Sequence, residues 1–225
     1  MRLRTCHAHA LLVLSFLVFL DTPLEAQQSG YYTHPTIRGD QVIFVSEGDL
    51  FSAVLSNKNK QGSILAHRLT SSDGSESDPV LSPNGKWVAF SGEYDGNTDI
   101  YVMPVDGGSP QRLTFHPATD RAVAWSPDGQ RILFRTARAH PLDRDELMSI
   151  SRAGGMPERL PFGEGTQASF SSSGNQLAFT PHSNENWTWK RYRGGTAPDI
   201  WVANLVGGSY TKLTKSDAND MYPMW

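Results

Sequence analysis

From about residue 40 onward, short runs of apolar residues alternate with polar ones and are broken at close intervals by Gly, Pro, Asn, Asp and Ser. Alternation with a period of two marks strands with a buried face, and such frequent turn residues leave little room for helices. Lys86-Trp87-Val88-Ala89-Phe90 shows the pattern, and Arg131-Ile132-Leu133-Phe134 and Gln176-Leu177-Ala178-Phe179 repeat it. The runs predict an all-β chain.

The pattern is itself repeated. Pro79-Val80-Leu81-Ser82-Pro83-Asn84-Gly85 aligns with Val123-Ala124-Trp125-Ser126-Pro127-Asp128-Gly129 and with Ala168-Ser169-Phe170-Ser171-Ser172-Ser173-Gly174. Tyr222-Pro223-Met224-Trp225 opens another copy. The anchors Leu81, Trp125, Phe170 and Trp225 stand 44, 45 and 55 residues apart. Strand chemistry at a period of about 40–50 residues points to propeller blades. Each copy parses into four strands, which in the second copy are a first around Pro79 to Leu81, a second from Lys86 to Phe90, a third, Asp99-Ile100-Tyr101-Val102-Met103, and an outer one, Gln111-Arg112-Leu113-Thr114. His34-Pro35-Thr36-Ile37, Val42 to Val45, Asp49-Leu50-Phe51 and Arg68-Leu69-Thr70 form a weaker first copy.

The expected fold is a β-propeller of WD40-like or TolB-like four-stranded blades. About four blades of a six-bladed ring are expected, over residues 33–77, 78–120, 121–166 and 167–222, with a fifth starting at 223–225. Stacked blades bury both faces of each sheet, so an incomplete ring predicts an apolar open face on the fourth.

Composition narrows the class. With 38% hydrophobic residues, 20 Gly and 14 Pro in 225 residues, the chain suits many short strands and tight turns. A net charge of −3 offers no basic face for nucleic acid. At the N-terminus Arg2 and Arg4 precede the apolar run Leu11 to Leu20, and Ala26 precedes Gln27. That layout predicts a signal peptide over residues 1–26 and export, most simply to the periplasm, with no membrane attachment after its removal. An uncleaved anchor is the alternative. Cys6, the only cysteine, lies in that segment, so the rest of the chain builds no disulfide framework.

In register, the chain resembles the N-terminal six-bladed propeller of tricorn protease homologues. Three stretches carry the resemblance: His34 to Leu50, Pro141 to Leu160, and above all Trp189-Lys190-Arg191-Tyr192-Arg193-Gly194-Gly195 followed by Ala197-Pro198-Asp199-Ile200-Trp201. It extends from about Tyr31 to the last residue. The resemblance implies a serine peptidase that trims oligopeptides, in which a second propeller, a PDZ-like domain and a peptidase core follow. It also implies a hexameric assembly and a propeller that channels peptides. The chain itself would be the non-catalytic propeller, with peptide substrates and the other domains of the same protein as partners. A stand-alone TolB-like scaffold for protein–protein contact is the alternative. An archaeal member carries an arginine pair before its third blade, where the matching loop here, residues 115–121, is shorter and offers only Arg121.

Candidate chemistry is sparse. No Gly-x-Ser-x-Gly elbow occurs, and His34, His67, His116, His140 and His182 are spread one to a loop without metal-ligand spacing. No cofactor, metal site or catalytic residue is expected. Asp95-Gly96-Asn97-Thr98-Asp99 opens like a calcium loop but lacks the distal Glu, and reads as a hairpin turn. Lys190, Arg191 and Arg193, beside Trp189 and Tyr192, are the candidates for receiving a peptide carboxylate or for packing on a neighbouring domain.

Overall fold

The structure is a computed structural model in which residues 30–182, 197–216 and 218–225 are described. The predicted signal segment and the insertion carrying Trp189 to Arg193 lie outside the described residues. The described residues hold strands and turns and no helix. Among the described residues, sixteen strands form four antiparallel four-stranded sheets in chain order. Blade 1 comprises β1 (Tyr32–Arg38), β2 (Gln41–Ser46), β3 (Asp49–Lys58) and β4 (Ile64–Arg68). Blade 2 comprises β5 (Ser75–Leu81), β6 (Trp87–Glu93), β7 (Thr98–Pro104) and β8 (Gln111–Arg112). Blade 3 comprises β9 (Asp120–Trp125), β10 (Arg131–Thr136), β11 (Glu146–Ser151) and β12 (Glu158–Glu164). Blade 4 comprises β13 (Gln167–Phe170), β14 (Gln176–Thr180), β15 (Trp201–Asn204) and β16 (Ser209–Lys212). The architecture is that of stacked propeller blades. Two boundaries differ from the sequence pattern: β5 begins four residues before Pro79, and β8 stops at Arg112, two residues short of Thr114.

Each seam between blades is a small core. Ile43, Val45 and Leu50 of blade 1 meet Leu81, Val88, Phe90, Tyr101 and Met103 of blade 2. Ala89, Ile100, Val102 and Leu113, on the other face of blade 2, meet Ala122, Trp125, Ile132, Phe134, Met148 and Ile150. Leu133, Leu147 and Phe162 then meet Leu177, Phe179 and Ala203. A strand with both faces in seams must be apolar at every position, which is why Val88, Ala89 and Phe90 are all buried. Each large side chain removed from water here contributes about 1.5–3 kcal/mol.

The Ser-x-x-Gly turns close by local bonds. Ser82 Oγ donates to Asn84 Oδ1 at 2.8 Å and accepts from Trp87 N at 3.0 Å, while Gly85 N donates to Ser82 O at 2.9 Å. Gly85 adopts a φ of 68°, which favours glycine.

Candidate functional site

The first strand of every blade lies at an edge of its sheet, and these strands neighbour one another in sequence: β1 beside β5, β5 beside β9, β9 beside β13. Together they wall a cavity of about 1100 Å³. Its mid-wall is made of small or neutral residues such as Thr36, Val80, Ala124 and Ser169. Tyr222 to Trp225 complete the wall alongside β13, with Trp225 N donating to Ser169 Oγ at 3.1 Å. Leu81 N donates to Thr36 Oγ1 at 3.3 Å in the same way across the first seam.

Charge gathers where the inner strands begin. β1 and β5 shift register there, and His34 and Asp78, each preceding a proline, both adopt a φ of 49°. Asp78 is the hub. Its Oδ2 accepts from Ser77 Oγ at 2.9 Å, Ser91 Oγ at 3.1 Å and Arg121 Nη1 at 3.2 Å, and His34 Nε2 lies 3.7 Å from its Oδ1. Ser91 Oγ in turn accepts from Ala122 N at 2.9 Å. Three blades are thus joined through one carboxylate. Arg121, singled out from sequence, pairs with Asp78 at 3.2 Å and keeps its side chain 41% exposed.

A second cluster contradicts the reading of the histidines as scattered. His140, from the β10–β11 loop, and His182, just after β14, converge on Glu164 of β12. His182 Nδ1 lies 2.9 Å from Glu164 Oε2, Arg144 Nη1 donates to Oε1 at 2.7 Å, and His140 Nε2 lies 3.7 Å from Oε1. They border a cleft of about 340 Å³ walled by Phe162, Phe179, Trp201 and Tyr210. Sequence spacing could not show this, because the three residues come from two blades and meet only when the blades stack. The Asp95–Asp99 segment is a hairpin turn whose two aspartates both face Arg112, at 3.3 and 2.6 Å. Among the described residues, His34, His140 and His182 face carboxylates, the rings of His116 and His140 accept from backbone N–H groups, and no histidine bonds to a serine hydroxyl.

Residues 29–225 match the family model of the tricorn protease N-terminal β-propeller domain. The chain belongs to that family. It is 30% identical over 197 residues to tricorn protease homolog 1 of Streptomyces coelicolor, covering 87% of this chain but 18% of that protein. A relative from Sulfurisphaera tokodaii, named for a tricorn-like protease N-terminal subunit, is 28% identical over 85% of this chain and 95% of its own length. The crystal structure of the tricorn protease superposes with a TM-score of 0.70 at 23% identity, over 84% of this chain and 19% of that one. For a tricorn-type propeller, the central cavity is the candidate site, and Arg38, at the end of β1 away from His34, is a lining residue that sequence reasoning passed over. Its only visible clue was a charged residue where the other copies have serine.

Proposed function

We propose that this chain is the non-catalytic propeller of a tricorn-like serine peptidase that degrades oligopeptides, with its central cavity a passage for extended peptides. The observation that carries the reading is the cavity of about 1100 Å³ with its small, neutral mid-wall and its charges set toward the ends. A neutral wall lets peptides of varied sequence pass, and the inner-edge strands bring unpaired backbone groups to a sliding main chain. The peptidase domains, carried on the same polypeptide or a companion subunit, and a hexameric assembly complete the proposal. Export through residues 1–26 belongs to it as well, and is checked by finding Gln27 as the first residue of the secreted protein. No helix among the described residues is long and apolar enough to cross a membrane.

Titration of a fluorescent, unstructured oligopeptide against the chain tests the passage. Ala124→Trp narrows the cavity and is expected to weaken binding by at least about tenfold, or about 1.4 kcal/mol. Binding unchanged by Ala124→Trp sinks the passage. A stand-alone scaffold predicts no peptide binding and capture of a folded protein.

A further inference from the structure

Ten arginines lie among the described residues, and nine are held. Arg68, Arg112, Arg121, Arg131, Arg135, Arg138, Arg144 and Arg159 face carboxylates, and Arg152 lies 4.5 Å over the Trp87 ring. Arg38 is the remaining one. Its guanidinium meets no carboxylate, ring or hydrogen-bond acceptor among the described residues, and it lines the central cavity.

The fold does not explain an arginine at this position. Pairing of Ile37 with Val42 and of Leu81 with Val88 puts Arg38 in register with Ser82, and the repeat extends this to Ser126 and Ser171. Those serines lock their turns by accepting from Trp87 N at 3.0 Å, Arg131 N at 2.9 Å and Gln176 N at 3.2 Å. Blade 1 makes a shorter turn through Gly39 and Asp40 and needs no such hydroxyl. The aliphatic stem does have a packing role. Arg38 Cγ lies 3.8 Å from where a Cβ on Gly85 would sit, as Pro83 Cδ lies 3.7 Å from that point at Gly129 and Pro127 3.6 Å at Gly174. Proline serves that purpose in two blades, so the stem's role leaves the charge unaccounted for.

We propose that the Arg38 guanidinium receives a carboxylate of a peptide held in the central cavity; this rests on the peptide-passage reading. Asp78, the acidic side chain in the cavity wall, already accepts from Ser77, Ser91 and Arg121, and among the described residues no carboxylate lies within ion-pair distance of Arg38. Arg38 stands four residues from His34 along β1, about 13 Å at about 3.3 Å per residue, so it acts at the far end of the passage from the Asp78 hub. A guanidinium takes a carboxylate through two parallel hydrogen bonds, which an ammonium cannot reproduce.

The test uses the full chain, its Arg38→Met and Arg38→Lys variants, and three peptides of one neutral sequence. One has a free C-terminus, one is amidated, and one is amidated with a single internal Glu. Met preserves an unbranched stem over Gly85, so thermal stability should stay near wild type. Expected is a loss of about 10- to 100-fold in affinity for Arg38→Met toward peptides bearing a carboxylate, a smaller loss for Arg38→Lys, and no change toward the plain amidated peptide. An effect confined to the free C-terminus names the terminal carboxylate, and one confined to the Glu peptide names an acidic side chain. Equal losses for all three peptides, or none, overturn the role of Arg38 while leaving the passage standing. Failure of the wild-type chain to bind any of the three overturns both.

Discussion

Glu76 lies in the first seam, where Tyr94 Oη donates to its Oε1 and Thr70 Oγ1 to its Oε2, both at 2.7 Å. Burial disfavours the carboxylate and raises the Glu76 pKa above its ordinary value, against the opposing effect of those two bonds. Burial, with the nearby Glu76, pushes the Tyr94 phenol up as well. A carboxyl with a raised folded pKa binds its proton more tightly folded than unfolded. Its contribution to stability is therefore complete below the ordinary value of 4.5 and is lost as pH rises through the folded value. Glu76→Gln removes the titration. The melting temperature of wild type relative to this variant should fall as pH rises from about 4 to about 8. A gap that does not vary with pH in paired thermal melts rejects the assignment.

At the scale of the element, the Arg/Lys-Leu ending of each repeat, followed by Thr in blades 1, 2 and 4, is a latch. In blade 2, Ile100 N donates to Thr114 Oγ1 at 2.9 Å, Thr114 Oγ1 to Asp99 Oδ1 at 3.1 Å and Arg112 Nη2 to Asp99 Oδ2 at 2.6 Å. The outer strand is thereby fastened to the start of the third. Blade 4 repeats this with Ile200, Thr214, Asp199 and Lys212. Blade 1 keeps Leu50 N donating to Thr70 Oγ1 at 2.8 Å and pairs Arg68 with Asp49, but its threonine hydroxyl donates to Glu76 of blade 2 in place of Asp49. Blade 3 pairs Arg159 with Glu146 but has Pro161 where the threonine stands, and Glu146 Oε2 is buried with no hydrogen-bond partner among the described residues. Thr114→Val strands the buried Ile100 N–H and should cost about 1–3 kcal/mol in denaturant unfolding. Combined with Asp99→Asn the losses should fall short of additive, since both act on one network. Full additivity would show that the two residues act separately. The repeated Arg/Lys-Leu was plain in the sequence, but its partner was not: acid and base lie 13 to 19 residues apart and meet only when the third and fourth strands pair.

Over the whole molecule, the repeat supplies its own control for what stacking does. Leu113 and Leu213 are equivalent, yet Leu113 is 2% exposed under blade 3 while Leu213 is 62% exposed. Ile200 and Val202 are half-buried where their counterparts Ile100 and Val102 are fully buried, although Ala178 stays covered. At the other end Phe44 and Phe51 stack at 5.9 Å with Tyr32 edge-on to Phe44 at 5.2 Å, and this face of blade 1 is partly open. Leu113→Asp buries an unpaired charge in a seam and should cost at least about 3 kcal/mol. Leu213→Asp should stay within about 0.5 kcal/mol in this chain. Comparable losses from the two, measured by chemical denaturation, would mean that blade 4 is covered on its outer face, as by a further blade or a second copy.

Alternation and turn chemistry were enough to write down the strands and the blades, because each strand's two faces and each Ser-x-x-Gly turn are set by neighbours in sequence. The anchors Leu81, Trp125 and Phe170 were visible for the same reason. The ends of β5 and β8 were misjudged because edge pairing, not local pattern, decides them. The Asp78 hub, the His140–Glu164–His182 meeting and the isolation of Arg38 are decided only by tertiary structure. Each depends on which side chains of separate blades, or of distant strands, come within a few ångströms, and no spacing along the chain encodes that distance.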